Sequence, residues 1–290
     1  MNQNIELIAS YYTLSGDVYP FGPTEISPFQ FQHRVEAAAE VGYKGMGITH
    51  ADVMATADQI GFQEMKRILD ANGIRHIELE FIIDWAAVDS RKRNSDRVRK
   101  ELLYAAQALG ARAIKVGSNV GHEPADVPGL IRGFRSLCQD AAQYGTSIVL
   151  EFMPFSSVNT VDLALMIVQE ADQPNGALLP DIWHMVRSGL DFSEITKIPG
   201  YRIGSVEIND ADKYPIEPLL SDTFHRRRLC GEGMFDIPAF IQAIQTQGYR
   251  GPWGVEILSE THRKLPLQEM AKRSFETAMA QFKCPDLGRP

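Results

Sequence analysis

The stretch FQFQHRVEAAAEVGYKGMGITH (29–50) decides the fold. Its first part places apolar residues at helical spacing, Gly42 stands just past the last of them, and KGMGIT (44–49) follows as a short apolar run. Glycine takes positive φ without the penalty a Cβ would impose, so Gly42 predicts the left-handed stop of a helix that feeds a strand. Gly73, Gly110, Gly145 and Gly248 stand in the same position, each a few residues ahead of another apolar run. Working outward, the runs are IELIAS (5–10), KGMGIT (44–49), RHIELEF (75–81), AIKVG (113–117), SIVLEF (147–152), ALLPD (177–181), IGSVEI (203–208) and WGVEI (253–257). Helical patterns are predicted at 29–42, 61–73, 95–110, 127–145, 161–172, 236–248 and 267–282, with a short, weakly periodic piece after the sixth run. Eight β/α units and no GxGxxG after the first run favour a closed (β/α)8 barrel over an open doubly wound sheet. With 290 residues and no linker-like or low-complexity tract, the chain reads as one α/β TIM-barrel domain over 1–290.

Composition narrows the function. A chain that is 44% hydrophobic and 23% charged, with 23 Gly and 16 Pro, is neither disordered nor collagen-like. A formal net charge of −8 argues against a nucleic-acid partner, which would call for a basic stripe along the phosphates. Cys138, Cys230 and Cys284 form neither an even disulfide framework nor a zinc spacing. No run reaches the roughly 20 apolar residues of a membrane span, and the first residues lack a basic and apolar leader, so a cytoplasmic protein is expected. The tail KCPDLGRP (283–290) is expected to fray. The stretch 210–235 is too long for a connector and is expected to be functional or a lid.

In a TIM barrel the site lies at the C-terminal ends of the strands. Four carboxylates stand there: Glu151 closes the fifth run, Asp181 the sixth, and Glu207 and Glu256 lie in the seventh and eighth. A lone acid at a strand end reads equally as a helix N-cap, an ion-pair partner or a solvated rim group. Four on consecutive strands point instead to a shared divalent ion, which would offset the cost of burying them. An oxygen-rich donor set suits Mn2+ first, with Mg2+ or Co2+ as alternatives, better than structural zinc. Glu207 faces the lumen only if the strand register puts Val206 and Ile208 on the other face.

Four pieces, EFMP (151–154), DIWHMVRSG (181–189), VEINDAD (206–212) and RRLCGEGMFDIPAFIQAIQTQGYRGPWGVEI (227–257), resemble the sugar-phosphate isomerase/epimerase superfamily of xylose-isomerase-like TIM barrels. That group includes ketose 3-epimerases, inosose isomerases and dehydratases, and endonuclease IV. The resemblance implies that Glu151, Asp181 and Glu256 bind one divalent ion and that His184 lines the substrate site. Many members carry a metal-binding histidine on the seventh strand, in a pattern such as VHLKD, where this chain has Glu207. The resemblance also implies a substrate that is a ketose, keto-inositol or keto-sugar derivative, isomerised or epimerised through a metal-bound enediolate, with Glu151 and Glu256 moving the proton from opposing sides of the mouth.

Around these, several residues carry two readings. His184 orients a substrate hydroxyl or caps the helix begun at DIWH. Arg187 grips substrate or closes a turn. In the run His225–Arg228, Arg227 is the expected substrate contact, set against a solvated charged face. His50 and Glu80 stand at rim positions where specificity is set. Lys115 is a substrate-facing base or the counter-charge to the acids. Trp183 and Trp253 wall a sugar or pack between layers. A lyase acting through the same chemistry, a dehydratase or keto-glycoside eliminase, is the alternative activity. An endonuclease-IV-like phosphodiesterase, which needs more histidines, and a non-catalytic binding barrel are remoter ones. A homo-oligomer is expected.

Overall fold

The computed structural model describes residues 5–121 and 126–283, so Cys284 and nearly all of the predicted frayed tail lie outside the described residues. Eight parallel staves make the barrel: β1 (Leu7–Ala9), β2 (Gly45–Thr49), β3 (His76–Ile82), β4 (Ala113–Gly117), β5 (Ser147–Glu151), β6 (Gly176–Leu179), β7 (Glu207–Ile208) and, after the short β8 (Asp210–Ala211) and β9 (Arg227–Arg228), β10 (Trp253–Val255). They pair in the order β6-β5-β4-β3-β2-β1-β10-β7. The seam between β6 and β7 is joined by bridges of Leu178 with Ile203 and Asp181 with Glu207, so the sheet comes round on itself.

The helices are α1 (Phe31–Val41), α2 (His50–Ile60), α3 (Phe62–Ala71), α4 (Arg91–Leu109), α5 (Val127–Gln143), α6 (Val161–Ala171), α7 (Ile182–Arg187), α8 (Leu219–His225), α9 (Ile237–Thr246) and α10 (Leu267–Ala280). Gly42, Gly73, Gly110, Gly145 and Gly248 all have positive φ, between 67° and 117°. The predicted stops therefore stand where the left-handed conformation is required. Three boundaries differ from the sequence reading. His50 is the first residue of α2, a helix that the pattern did not announce, rather than the last residue of a strand. The helix expected from 95 starts at Arg91. The seventh run narrows to Glu207–Ile208, because residues before it bond to the β6 segment as single links, Gly204 N to Leu178 O among them.

Alternation within the staves sorts the side chains. Ile114, Val116, Ile148, Leu150, Leu178, Val206, Ile208 and Val255 belong to the large core between sheet and helices. Their neighbours turn inward: Ala113, Val149, Ala177 and Leu179 form a separate apolar plug, and Glu78, Glu80, Lys115 and Glu207 are buried with them. Parallel strands leave no solvated face, so every polar residue on the inner side must find its partner inside the barrel.

The stretch 210–235 is ordered by one carboxylate. β8 and β9 pair antiparallel, and Asp210 accepts the backbone N–H groups of Gly231, Gly233 and Phe235, each at 2.9 Å. A Cβ on Gly233 would come within 2.3 Å of the Asp210 Oδ1, so the glycine of GEG is demanded by this close approach. Among the described residues no helix is long and apolar enough to cross a membrane.

Candidate metal centre

Glu151 ends β5, Asp181 follows β6 at the start of α7, Glu207 lies on β7 and Glu256 follows β10. One carboxylate oxygen from each lies within 4.8 Å of the others, and a second grouping joins Glu151, Asp181 and His184. The register puts Val206 and Ile208 in the outer core, so Glu207 does face the lumen. Asp181 unites the two readings of a strand-end acid. Its Oδ1 caps α7 by accepting from Trp183 N at 2.6 Å and takes the Asn209 amide at 3.0 Å, while Oδ2 accepts from Arg227 at 2.7 Å.

Burial, then the charges of Glu207 and Asp181, push Glu151 well above the usual carboxylate range. Burial and the Glu207 charge do the same to Glu256, against the opposing pull of Arg227 at 2.9 Å. Glu207 is raised by burial more than Lys115 lowers it. Asp181 alone of the four is held low: burial acts to raise it, but the Arg227 and His184 charges and its hydrogen bonds prevail. Burial brings the His184 imidazole down to about 4, so the ring is neutral at neutral pH, with Nε2 3.1 Å from Glu151.

The lumen thus holds six buried carboxylates, Glu78, Glu80, Glu151, Asp181, Glu207 and Glu256, against three cations, Lys115, Arg112 and Arg227, that pair with them. Among the polar atoms left without a partner are Glu207 Oε2 and His184 Nδ1. An orphaned carboxylate oxygen beside three other acids, two of them driven toward their neutral forms, fits a divalent cation held by oxygen donors.

A cavity of about 470 Å3 opens above this floor. Of the predicted residues, Glu80, Glu151, His184, Arg227, Glu256 and His50 line it, and Asp181 and Glu207 lie just beneath. Lys115 does not reach the cavity. Its ammonium is locked between Glu207 at 2.6 Å, Glu80 at 3.2 Å and Glu78 at 3.7 Å, which corrects the expectation of a substrate contact and leaves the counter-charge reading. His50 sits at the rim, 2.5 Å from Glu101. Trp183 and Trp253 are not walls either. Trp253 packs edge-on against Tyr249 and Phe282 at 5.7 and 5.2 Å, and Trp183 is sealed beneath the guanidinium groups of Arg187 and Arg227. Arg187 ties α7 to the long loop through Asp222 at 2.9 Å and the Asp212 carbonyl. The walls missed by sequence reasoning are Tyr12, Phe21, Phe81, Phe155 and Phe224; Phe21 and Phe155 lie in loops, where no periodicity marks them, while Phe81 sits on β3 and Phe224 on the short α8.

A profile described as "Xylose isomerase-like TIM barrel" matches residues 35–279. The chain is similar to 3-dehydroshikimate dehydratase of Pseudomonas aeruginosa, 27% identical over 242 residues, covering 82% of this chain and 38% of that protein. It is similar to inosose isomerase of Bacillus velezensis, 30% identical over 142 residues, or 48% of this chain and 50% of that one. The chain thus matches half or less of the length of these curated relatives. A crystal structure of an IOLI protein with a binding zinc atom superposes with a TM-score of 0.84 at 19% identity, covering 96% of this chain and 98% of the other. The extent of the profile match, spanning the barrel from α1 to α10, makes this chain a member of the xylose isomerase-like TIM barrel family.

Proposed function

We propose that the chain is a divalent-metal-dependent isomerase or epimerase of a ketose, keto-inositol or related keto-sugar, working by proton transfer at carbon next to a carbonyl. The observation that carries this reading is the pair Glu151 and Glu256, three staves apart in the barrel, both lining the cavity and both raised well above the usual carboxylate range, as suits carboxyl groups that exchange a proton with substrate carbon. Glu256 is the better-supported anion, with Arg227 at 2.9 Å, and takes the proton from carbon. Glu151, crowded by the charges of Glu207 and Asp181, holds a proton and returns it at the other position. His184, neutral and 3.1 Å from Glu151, orients that carboxyl and presents its ring to a substrate hydroxyl.

Glu151, Asp181, Glu207 and Glu256 would hold the ion, with Mn2+ our first choice and Mg2+ or Co2+ next, on the oxygen character of the donors. Likeness to a zinc-binding IOLI protein supports a divalent metal in general. When bound, such an ion polarises a carbonyl and its neighbouring hydroxyl as a Lewis acid.

A second reading, a dehydratase, is favoured by one observation: the similarity to 3-dehydroshikimate dehydratase runs over 82% of the chain, against 48% for inosose isomerase. Metal-loaded protein incubated with ketoses, inososes and 3-dehydroshikimate in deuterated water separates the two. Deuterium appearing on carbon with no change of mass otherwise marks isomerisation or epimerisation; loss of water with a new conjugated chromophore marks dehydration. Glu151→Gln and Glu256→Gln should each abolish the reaction with the fold intact, and a fully active double variant would refute the assignment.

A further inference from the structure

The cavity is built from two materials. Its floor consists of residues at strand ends, and its mouth is apolar: Phe21, Phe155 and Leu258 come from loops, Phe81 from the end of β3 and Phe224 from the short α8. Phe21 stands out, being 67% exposed at positive φ (58°), a conformation unusual for a bulky residue. It is held there deliberately. Glu25 Oε1 accepts the Phe21 backbone N–H at 2.9 Å, and Oε2 accepts the Tyr12 hydroxyl at 3.0 Å. The neighbouring Tyr19 ring lies beneath the Arg263 guanidinium at 4.5 Å and beside His225 at 4.9 Å. So fixed, Phe21 meets Phe224 of α8 with ring centroids 6.0 Å apart. Phe155 continues the aromatic lining inward, edge-on to His184 with centroids 5.6 Å apart.

Charge is arranged just as one-sidedly. Among the described residues no lysine lines the cavity, and each cationic side chain that does is engaged. Arg227 pairs with Asp181 and Glu256. Arg97 bonds Glu101 at 2.7 Å and Asn94 at 3.0 Å, and His50 shares Glu101. The N-terminus of α2 opens beside the cavity, but its first turn carries an acid, Asp52, whose buried carboxylate pairs with Arg34 and accepts the Ser27 N–H at 2.9 Å. Recognition of a phosphate or carboxylate draws on forked or unpaired cations and free helix ends. Here the acids that line the cavity outside the proposed ion site, Glu25 and Glu80, add negative charge rather than a free cation.

Resting on the keto-sugar reading above, we infer that the substrate is uncharged and carries a flat apolar substituent, which stacks in the Phe21–Phe224 mouth while the polyhydroxylated ring lies on the acidic floor. A cavity of about 470 Å3 has room for a sugar ring and an aryl group together. Aromatic rings edge-on or offset to such a group add selectivity beyond the area they cover.

The test is a binding measurement, independent of turnover. Manganese-loaded protein is titrated by calorimetry or ligand-observed NMR with phenyl β-glucopyranoside, methyl β-glucopyranoside and glucose 6-phosphate, alongside the Phe21→Ala and Phe21→Leu variants. The phenyl glycoside should bind about tenfold tighter than the methyl glycoside and more tightly than the phosphate. Phe21→Ala should remove most of that gap without weakening the methyl glycoside, and Phe21→Leu should remove part of it. Equal affinity for phenyl and methyl glycosides, tightest binding of the phosphate, a gap unchanged in Phe21→Ala, or no binding by any of the three would overturn the inference. Those results would leave the metal-centre reading to its own deuterium-exchange test, whose failure would show as lost exchange whatever the order of affinities.

Discussion

Replacing Lys115 by methionine keeps an unbranched side chain one atom shorter and deletes one charge from the middle of the barrel. The ammonium sits 2.6 Å from Glu207, 3.2 Å from Glu80 and 3.7 Å from Glu78, all inside a closed lumen. Breaking a buried pair from one side costs about 3–5 kcal/mol, because the partner is left charged and dry. At roughly 2–4 °C per kcal/mol for a chain of this size, the metal-free Lys115→Met protein should melt on the order of 10 °C below the parent. The loss should also depend on pH. Glu207 is raised by burial even with Lys115 beside it, and without the cation it rises further. A carboxyl whose folded pKa exceeds its unfolded value gives the folded state a stability that is full below the unfolded pKa and is lost as pH climbs through the folded one. The deficit of the variant should therefore be largest at alkaline pH and shrink as pH falls through the raised pKa of Glu207. Urea denaturation of chelator-treated protein across that pH range measures this. Adding Glu207→Gln to Lys115→Met should restore most of the loss, since the charge that lacked a partner is gone. A deficit below about 1 kcal/mol, equal across that range and untouched by the second substitution, would refute the account of Lys115 as counter-charge.

The same linkage extends to the metal. Glu151, Glu256 and Glu207 are all raised, so metal-free protein should lose stability as pH rises from mildly acid to about 8, and manganese should oppose that loss while releasing protons, seen as buffer-dependent heat in calorimetry. In the long loop, Asp210→Ala removes the acceptor of four backbone N–H groups, those of Ala211, Gly231, Gly233 and Phe235; a destabilisation of about 3 kcal/mol with faster proteolysis between β9 and α9 is expected, whereas Asp210→Asn, which keeps an acceptor oxygen, should lose less.

How much of this was legible follows from where each signal lives. The five stop glycines and the alternation within the staves are local, so the barrel could be read from them, and the lumen-facing position of Glu151, Asp181, Glu207 and Glu256 came with it. The partner of a lumen residue is not local. Glu207 and Lys115 lie 92 positions apart, and nothing in AIKVG says whether the ammonium points up into the cavity or sideways into a carboxylate. α2 was missed because HADVMATADQI presents a narrow apolar face, with Val53 and Thr56 buried and most of the rest half-covered. Trp183 and Trp253 carried both a wall and a packing reading from their sequence proximity to Asp181 and Glu256, and the packing one holds because a one-residue step along a stave changes faces. Of the true walls, Phe21 and Phe155 stand on loops and Phe224 on the short α8, and only tertiary structure brings Phe21 to Phe224.

The departure at the seventh stave then acquires a physical meaning. A glutamate in place of an imidazole adds a negative charge where three acids already stand, and alone it would repel them and weaken the pull of the ion on substrate oxygens. In this barrel the added charge does not stand alone. Glu207 Oε1 is taken by Lys115 and by the Ser10 hydroxyl, while Oε2 has no partner. One oxygen is thus spent inside the lumen against a fixed cation, and the other is left for the centre. On the proposed reading, the Lys115–Glu207 unit presents itself to the ion as a nearly neutral oxygen donor, close in charge to the histidine it replaces. Substituting Glu207 by histidine without touching Lys115 should accordingly be worse than either natural arrangement, because it would set an imidazole against an ammonium that has lost its nearest carboxylate. Manganese affinity by equilibrium dialysis should fall for Glu207→His and recover when Lys115→Met is added, and an affinity for Glu207→His equal to the parent's would show that the two residues act independently.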